Sequence, residues 1–290
     1  MIYAELRVTA VADVTPAMRR ITLSGEGLAD FVPLAPDQQI KLFFARDGGV
    51  PRVPPPPADG DVATWYQRYL AIPEPERPWM RTYSVRHHRP GRREIDVDFA
   101  LHGPGGGEGP ASRWAFTARP GAVVGLVGPA ASTLRRADAP DWRLFAGDET
   151  ALPAIGALVE SLEPGARALV FAEVAGPGEE QGWTSAGLVQ THWLHRGPVA
   201  PGRSTALVDA LRAAPFPSGE VFAWVAGEAS AVRAVRRHLV NERGIDKRQV
   251  AFTGYWRLRL AQDDAPTAED AADRTEALAD LAEAQARQGA

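Results

Sequence analysis

The sequence predicts a β-barrel, then an α/β domain with a parallel sheet, and finally a C-terminal helix. Three observations lead to this prediction. Up to about residue 135, short alternating apolar segments are separated by glycine and proline. Beyond Pro140, strand-like and helix-like apolar segments alternate, and residues 266–290 are rich in alanine, glutamate and aspartate. We therefore expect domains at 1–135 and 136–262, followed by a helical extension at 263–290.

The first domain contains six predicted strands, each alternating apolar and polar residues or bounded by turn residues. They lie around Leu6–Ala10 and Ile21–Leu23 and at Gln39–Phe44, Arg81–Arg86, Glu94–Leu101 and Ala122–Val127. The proline-rich segment 47–78 is expected to be a surface loop with a short helix near Trp65–Tyr69.

In the second domain, alternation of strand and helix favours a parallel sheet with helices on both faces. The strands are predicted at Trp142–Ala146, Ala168–Val174, Thr191–Leu194, Val221–Ala226 and Val250–Tyr255. Helices are predicted at Ala151–Leu162, Ser204–Ala213, capped by Ser204, and Ala229–Glu242. A last helix, Thr267–Ala286, has an acidic first half and a thin apolar stripe, so we expect it to pack weakly.

Composition limits the class of function. The 290 residues include 32 basic and 36 acidic ones, a net charge of −4, so we expect no nucleic-acid partner and no membrane insertion. The absence of cysteine excludes disulfides and a cysteine-ligated iron–sulfur cluster. With neither a signal-peptide pattern nor a run of ~18 apolar residues, the expected location is cytoplasmic.

The segment Arg81-Thr82-Tyr83-Ser84-Val85-Arg86 carries the most specific chemistry. Side chains alternate along a strand, so Arg81 and Tyr83 are expected on one face and Ser84 on the other. Tyr83 offers a flat ring for a heteroaromatic plane, and the Arg81 guanidinium offers a fork of donors for a phosphate. A flavin dinucleotide needs both groups. An ordinary amphipathic strand is the alternative, and the six residues alone leave both interpretations open.

A predicted helix start after the glycine-rich run 103–110 is a second candidate site. The run does not match the G-x-G-x-x-G pattern, and the chain has no P-loop motif. The segment Gly109–Trp114 nevertheless offers backbone N–H groups and Arg113 where a pyrophosphate could bind. A solvated turn without a ligand is the alternative.

Two loops follow strands of the predicted parallel sheet and meet at its carboxyl edge, where open α/β sheets bind ligands. One loop contains Asp148, Glu149 and Thr150, and the other contains Gly227 and Glu228. These residues are candidates for holding a nicotinamide nucleotide. Alternatively, Asp148 or Thr150 caps the helix that follows.

No metal site is expected. His192 and His195 form an H-x-x-H pair, but three residues apart in a strand they lie on opposite faces. The six histidines and the absence of cysteine also argue against structural zinc.

Together these motifs resemble the siderophore-interacting protein family of flavin reductases, within the ferredoxin-NADP-reductase superfamily. The resemblance covers roughly residues 2–258. The matching blocks are Arg81–Arg86, Asp96–Gly103, Gly109–Trp114, Gly147–Ile155, Trp193–Arg196 and Gly254–Arg257. The chain departs from the family in two places. Leu258-Arg259 stands where the family usually has another residue and then glycine, and the stretch 106–108 makes the glycine-rich loop longer than usual.

The resemblance implies a FAD-binding antiparallel barrel followed by a nicotinamide-binding α/β domain. The residues that it implies for FAD are Arg81, Thr82, Tyr83, Ser84, Asp98, Phe99, His102, Ala111, Ser112, Trp114, Tyr255 and Trp256. Those for the nicotinamide nucleotide are Asp148, Glu149, Thr150, Glu173, Gly227 and Glu228. Tyr255 or Trp256 is expected near the second face of the flavin ring. Glu173, near the end of a strand, is expected to accept from a ribose 2′-hydroxyl, which favours NADH over NADPH.

The activity that the resemblance implies is electron transfer from NAD(P)H, or from ferredoxin, through FAD to Fe(III) in a siderophore. Candidate residues for an anionic chelate are Lys41, Arg135 and Arg257, and solvated surface charge is the alternative. Two other functions stay open: a non-catalytic module that binds and delivers ferric chelates, and a general flavin or dye reductase. The C-terminal helix, about ten residues after Trp256, could cover the nucleotide cleft and leave ferredoxin as the donor.

Overall fold

The computed structural model describes residues 2–55, 57, 61–103, 109–130, 140–258, 260, 268, 271, 272 and 275. These residues form two β-sheets, one within residues 2–128 and one within residues 142–256. The first is antiparallel and curled, and the second is parallel and covered by helices. The predicted fold class is therefore confirmed.

The first sheet has seven strands in the order β4-β3-β7-β1-β2-β6-β5, with antiparallel neighbours throughout. The strands are β1 (Ile2–Thr15), β2 (Met18–Ser24), β3 (Gln39–Phe44), β4 (Trp79–Ser84), β5 (His87–Arg89), β6 (Glu94–Ala100) and β7 (Val123–Gly128). Residues at alternate positions of a strand point into an apolar core, as Leu6 does in β1 and Ile21 does in β2. The sheet curls until the Arg86 N–H, just past β4, donates to the Asp96 carbonyl at 2.8 Å.

Two helices pack on this barrel. α1 (Val62–Leu70) is the short helix that the sequence predicted, and its Trp65 ring meets Phe43 of β3 edge-on at 5.9 Å. α2 (Pro110–Thr117) buries Ala111 and Ala115 in the barrel core. α2 therefore starts beside the strands that carry the Arg81–Arg86 segment.

The second sheet has five strands in the order β10-β9-β8-β11-β12, all parallel. They are β8 (Trp142–Gly147), β9 (Arg167–Val174), β10 (Leu188–His195), β11 (Val221–Glu228) and β12 (Val250–Trp256). The helices are α3 (Leu152–Glu160), α4 (Ala206–Ala213) and α5 (Ala229–Arg237). Neighbouring residues of β8 face opposite sides of the sheet. Phe145 packs in the cluster that contains α3, and Leu144 packs in the one that contains α4 and α5.

The elements differ from the sequence predictions in detail. The strand β5 was not predicted, because three polar residues give no alternating apolar pattern. α4 begins at Ala206 rather than Ser204, although the Ser204 hydroxyl accepts the Ala206 N–H at 3.1 Å. α5 ends at Arg237 and continues as a π-helical turn, His238–Glu242.

The predicted helix Thr267–Ala286 lies mostly outside the described residues, of which 268, 271, 272 and 275 are helical. The helices within the described ranges include none that is long and apolar enough to span a membrane.

Several contacts join the two sheets' domains. Met18 of β2 is buried in the apolar cluster of α3. Glu179, in the loop after β9, accepts hydrogen bonds from the Thr15 hydroxyl and from the Ala17 N–H. These contacts fix the long β1–β2 hairpin against the α/β domain.

Candidate functional site

Arg81 and Tyr83 lie on one face of β4, paired in the sheet with Leu42 and Ile40 of β3. Leu42 and Ile40 are fully buried, and Tyr83 is half-buried at the margin of the same core. The Arg81 guanidinium donates to the Met80 carbonyl at 2.7 Å. Burial raises the pKa of Tyr83, and the nearby Arg81 charge only partly opposes this. β4 therefore offers a neutral ring beside a guanidinium, as the sequence predicted.

A group of aromatic side chains supports Tyr83 from behind. Its ring lies 4.3 Å from that of Phe99, which is fully buried. Phe99 packs against Trp114 of α2 at 5.7 Å, and Trp114 packs against Phe44 at 5.0 Å. Phe99 therefore fixes the Tyr83 ring from within the barrel core. Direct contacts of Phe99 and Trp114 with a cofactor stay predictions.

Asp98 sits below this surface. Its side chain is completely buried and accepts two hydrogen bonds from Arg20, at 2.7 and 2.8 Å. An arginine–carboxylate pair of this geometry satisfies both carboxylate oxygens. Asp98 therefore stabilises the β2–β6 pairing, and its predicted contact with a cofactor stays untested and would compete with Arg20.

α2 begins next to the end of β6. Gly109 stands at its N-cap with a positive φ of 83°, a conformation that favours glycine, and among the described residues no side chain caps the helix. The buried Ser112 hydroxyl accepts the His102 N–H at 3.2 Å and so holds this helix start against the chain leaving β6. An uncapped helix N-terminus suits an anionic group. Binding of a pyrophosphate at Ala111, Ser112 and His102 stays a prediction.

Tyr255 brings the α/β domain to the other side of β4. Its hydroxyl lies 3.4 Å from that of Ser84, which is buried. Burial raises the pKa of Tyr255 to about 12, with Ser84 opposing, so the hydroxyl is neutral at physiological pH. The Trp224 ring meets Tyr255 edge-on at 6.3 Å, and its indole N–H donates to buried Asp37 at 3.0 Å.

Trp256 points elsewhere. Its indole N–H donates to Asp148 Oδ2 at 2.8 Å, and the Glu228 N–H donates to the same oxygen at 2.8 Å. The other oxygen, Oδ1, accepts the Thr150 N–H at 2.9 Å within the loop. The predicted cap of α3 by Asp148 or Thr150 is wrong, because the N-cap is Ala151 and its side chain makes no capping hydrogen bond. Gly227 has a φ of 140° and passes so close that a Cβ there would lie 2.7 Å from Asp148 Oδ2. Asp148 thus ties together the carboxyl ends of β8, β11 and β12.

The neighbouring carboxylates bond to helix starts at the same edge. Glu173 accepts the Leu207 N–H at the start of α4, at 3.2 Å. Glu228 accepts the Ser230 and Ala231 N–H groups of α5, at 2.7 and 3.1 Å. Burial raises the pKa of Glu173. These carboxylates occupy the positions where a dinucleotide fold would offer amides to phosphate, and the ribose contact of Glu173 stays a prediction.

Glu149 completes this acidic edge. It forms a bidentate pair with Arg196 at 2.8 and 2.7 Å. Burial and the adjacent Asp148 raise the pKa of Glu149, while Arg196 opposes the shift. The cavity at the edge, between Asp148, Glu173 and Glu228, has a volume of about 20 Å³, room for one water molecule.

The candidate substrate cations lie at different places. Lys41 of β3 donates to the Thr82 hydroxyl at 2.6 Å, on the face of the sheet opposite Arg81. Arg257 directly follows β12 and pairs with Leu260 in an isolated bridge. Arg135 lies outside the described residues. The role of all three stays a prediction.

The partner of Arg86 was not predicted from the sequence. This arginine is buried and forms a bidentate ion pair with Glu160 at the end of α3, at 2.6 and 2.5 Å. One signal was present in the sequence, because Arg86 lies five positions after Arg81 and an odd number of positions along a strand changes face. Glu160 itself carried no signal, since only the tertiary structure brings it to Arg86.

Comparisons with known proteins concern the whole chain and its two domains. Residues 7–133 match the model of the siderophore-interacting FAD-binding domain, and residues 140–259 match that of the siderophore-interacting protein. The chain is 38% identical over 261 residues to an uncharacterized protein of Mycobacterium tuberculosis, covering 86% of this chain and 88% of that one. It is 33% identical over 250 residues to the ferric vibriobactin reductase of Vibrio cholerae, covering 84% and 85%.

A third relative is the NADPH-dependent ferric-chelate reductase of Escherichia coli, 28% identical over 263 residues, covering 89% of this chain and 94% of the relative. Among solved structures, a siderophore utilization protein from T. fusca superposes with a TM-score of 0.74 at 31% identity. This match covers 90% of the present chain and 95% of the other.

Proposed function

Because this chain belongs to the siderophore-interacting protein family, we propose that it reduces Fe(III) held in a siderophore, using FAD bound to the barrel. It is a flavin oxidoreductase, and the proposal adds its substrate and its electron donor. The observation that carries the proposal is that Arg81 and the half-buried Tyr83 lie on the same face of β4.

The residues around β4 fit FAD. Tyr83 supplies a flat, neutral surface that Phe99 holds in place. Arg81 and the uncapped start of α2, at Ala111 and Ser112, supply donors for the two phosphates. When bound, FAD supplies the chemistry, since it accepts a hydride and passes single electrons to iron.

Tyr255 and Ser84 shape the site from the side of the α/β domain. Ser84 is buried and the Tyr255 hydroxyl faces it, so the two side chains keep water from the back of β4. Because its pKa is raised to about 12, Tyr255 adds no charge next to the ring. Trp256 is held by Asp148 instead, so Tyr255 is the aromatic residue of the α/β domain that we assign to the Ser84 end of β4, at the border of the flavin site.

A ferric siderophore is the substrate class that the family relationship supports. Such chelates are often anionic, while the chain has a net charge of −4, so local cations must attract them. Lys41 beside β4 and Arg257 after β12 are suitable, together with Arg135. Reduction releases iron because hard oxygen ligands hold Fe(II) less tightly than Fe(III).

The proposed donor is a nicotinamide nucleotide, NADH in preference to NADPH. The carboxyl groups of Asp148, Glu173 and Glu228 line the carboxyl edge, where an additional 2′-phosphate would be repelled, whereas Glu149 is neutralised by Arg196. The relative from Escherichia coli is named for NADPH, so the preference is a property proposed for this chain alone. Ferredoxin is the alternative donor if the C-terminal segment closes the edge.

One experiment separates this proposal from a ferric-chelate carrier and from a general dye reductase. The protein is purified, its bound flavin is quantified, and anaerobic bleaching by NADH, NADPH and reduced ferredoxin is followed by stopped flow. A ferric siderophore and a dye are then compared as oxidants. A protein that binds no flavin is a carrier at most, and faster oxidation by the dye than by every chelate would contradict the siderophore role.

A further inference from the structure

Arg86 connects the barrel to the α/β domain through its side chain. Its backbone belongs to the barrel, where the Arg86 N–H donates to Asp96 and that of Val85 donates to Gln38, both at 2.8 Å. Its guanidinium holds both oxygens of Glu160, at 2.6 and 2.5 Å. The side chain is only 4% exposed. One residue therefore has its main chain in one domain and its charge in the other.

α3 has a surface shaped for this guanidinium. Gly156 lies one helical turn before Glu160, and a Cβ there would lie 3.1 Å from Arg86 Cζ and 2.8 Å from Trp183 Nε1. A larger residue would force both side chains to move. Because glycine is unfavourable inside a helix by about 1 kcal/mol relative to alanine, its presence needs a packing reason, and Arg86 provides one.

The barrel also fixes the position of Arg86. Its Nη1 lies 2.8 Å from His87 Nε2, and His87 Nδ1 lies 3.1 Å from Asp96 Oδ2. Asp96 in turn accepts two hydrogen bonds from Arg89, at 2.6 and 2.7 Å. Arg86 thus extends from a rigid network and does not act as a flexible surface charge.

Domains joined by polar contacts move relative to each other unless the interface is large and apolar. Here the described interdomain contacts combine a small apolar patch, in which Met18 packs in the cluster of α3, with several polar contacts. Besides the Arg86–Glu160 pair they include Glu179 with the β1–β2 turn, Asp37 with Trp224, and Ser84 with Tyr255. The Arg86 pair is bidentate and lies only two residues beyond Ser84, so it controls the spacing at that point most directly.

We propose that Arg86 is a positioning residue. By holding Glu160 across Gly156, it sets the orientation of the α/β domain and hence the distance between Tyr255 and the Ser84 end of β4. The role of Arg86 in orienting the α/β domain follows from contacts between described residues and does not depend on a cofactor. The consequence, that this distance sets how closely Tyr255 approaches the flavin site at the Ser84 end of β4, rests on the proposed function.

The first measurement needs no cofactor. The chain contains no cysteine, so cysteines introduced at the exposed positions Arg119 of the barrel and Arg237 of α5 take spin labels only there. We expect one narrow distance distribution in the parent protein. In Arg86→Gln the distribution should become about twofold broader, as expected for domains freed to move.

Two further variants test the route. If Arg86 acts through Glu160, the double variant Arg86→Gln/Glu160→Gln should broaden the distribution no more than Arg86→Gln alone. Gly156→Ala keeps both charges but displaces the guanidinium, and it should also broaden the distribution. Arg243→Gln is the control, since Arg243 binds carbonyls at the end of α4 within one domain. It should lower thermal stability without changing the distance.

The second measurement uses the FAD-loaded protein. An aromatic side chain near a flavin quenches its fluorescence. Tyr83 stays in place in every variant, so the retreat of Tyr255 in Arg86→Gln and Gly156→Ala should raise the fluorescence of bound flavin by a fraction only, while Arg243→Gln should leave it unchanged. An unchanged, narrow label distance in Arg86→Gln would overturn the proposal. A broadened distance without any flavin binding would leave the positioning role intact and contradict the proposed function instead.

Discussion

Arg81 and Tyr83 give β4 both a charge and a flat apolar surface. A flavin dinucleotide requires both, one for its phosphates and the other for its ring. The ring is fixed by Phe99 from the core side. The guanidinium donates to the Met80 carbonyl at 2.7 Å, and a guanidinium carries five N–H donors in a fixed fork that suits a phosphate. Loss of Arg81 should therefore weaken the cofactor without unfolding the barrel.

We expect Arg81→Ala to lower the affinity for FAD about tenfold or more, since a charge-assisted contact contributes roughly 1.5–3 kcal/mol. Fluorescence titration of the apoprotein measures the affinity, and circular dichroism checks the fold. Arg46→Ala is the matched control, because Arg46 lies over Trp79 at the start of β4, at 5.0 Å. Full flavin occupancy in Arg81→Ala would show that this arginine is misplaced in the site.

Asp148 is the residue on which the carboxyl edge depends. Its Oδ2 accepts from two donors, Trp256 Nε1 and the Glu228 N–H. In Asp148→Asn, either the new amide faces these two donors or the carboxamide flips toward Thr150, and both orientations leave buried donors unpaired. We expect a loss of about 1–3 kcal/mol, a fall in Tm of a few degrees, and a change in Trp256 emission. Unaltered melting would contradict this account of the edge.

At the scale of elements, β5 and β6 are held together by ionised side chains. Burial opposes ionisation of Asp96, but hydrogen bonds from Arg89, His87 and Thr22 outweigh it and hold its pKa well below the usual range. A carboxyl group with a lowered folded pKa stabilises the protein above its unfolded pKa of about 4. That stabilisation is lost as the pH falls through the folded value.

We therefore expect the stability of the parent protein to fall between about pH 5 and pH 2, and the fall to be shallower in Asp96→Asn. Urea unfolding at a series of pH values measures this dependence. The exposed Arg92→Gln, on the turn after β5, serves as control. Equal slopes for the parent and Asp96→Asn would mean that other carboxylates dominate acid unfolding.

The ends of β8, β9 and β11 form a second element, in which Glu173 and Glu228 accept helix N–H groups and Asp148 accepts from Trp256. A 2′-phosphate at this edge would meet repulsion on the order of 1 kcal/mol per nearby carboxylate in water-like surroundings. We expect kcat/KM for NADH to exceed that for NADPH about fivefold or more, as measured from initial rates of flavin reduction. A preference for NADPH would show that the edge carboxylates do not determine the choice of nucleotide.

How well the elements were predicted depended on the range of the interactions. The strand Gln39–Phe44 was predicted to the residue because its apolar run and flanking turns are local features. The hydrogen bond from Trp256 to Asp148 was not predicted, because it joins residues 108 positions apart. The ion pair of Arg86 with Glu160 was missed for the same reason, since it spans 74 positions.

At the scale of the whole molecule, the net charge is −4 and any cation patch acts against it. The Debye length falls from about 30 Å at 0.01 M salt to about 8 Å at 0.15 M, so attraction of an anionic chelate should weaken over this range. We expect KM for an anionic ferric chelate to rise with salt, and to rise less in Lys41→Gln. A neutral chelate serves as control, and a salt-independent KM for the anionic chelate would exclude the patch.

Gly156 also has a consequence for how this sequence can change over evolutionary time. No side chain fits at position 156 while Arg86 and Trp183 keep their places. A substitution there is tolerated only if Arg86 is replaced by a shorter residue or the Trp183 side chain moves away. A shorter residue at position 86 leaves Glu160 without its arginine partner. Across related chains, positions 86, 156 and 160 should therefore be inherited as a set, with replacements at one accompanied by replacements at the others.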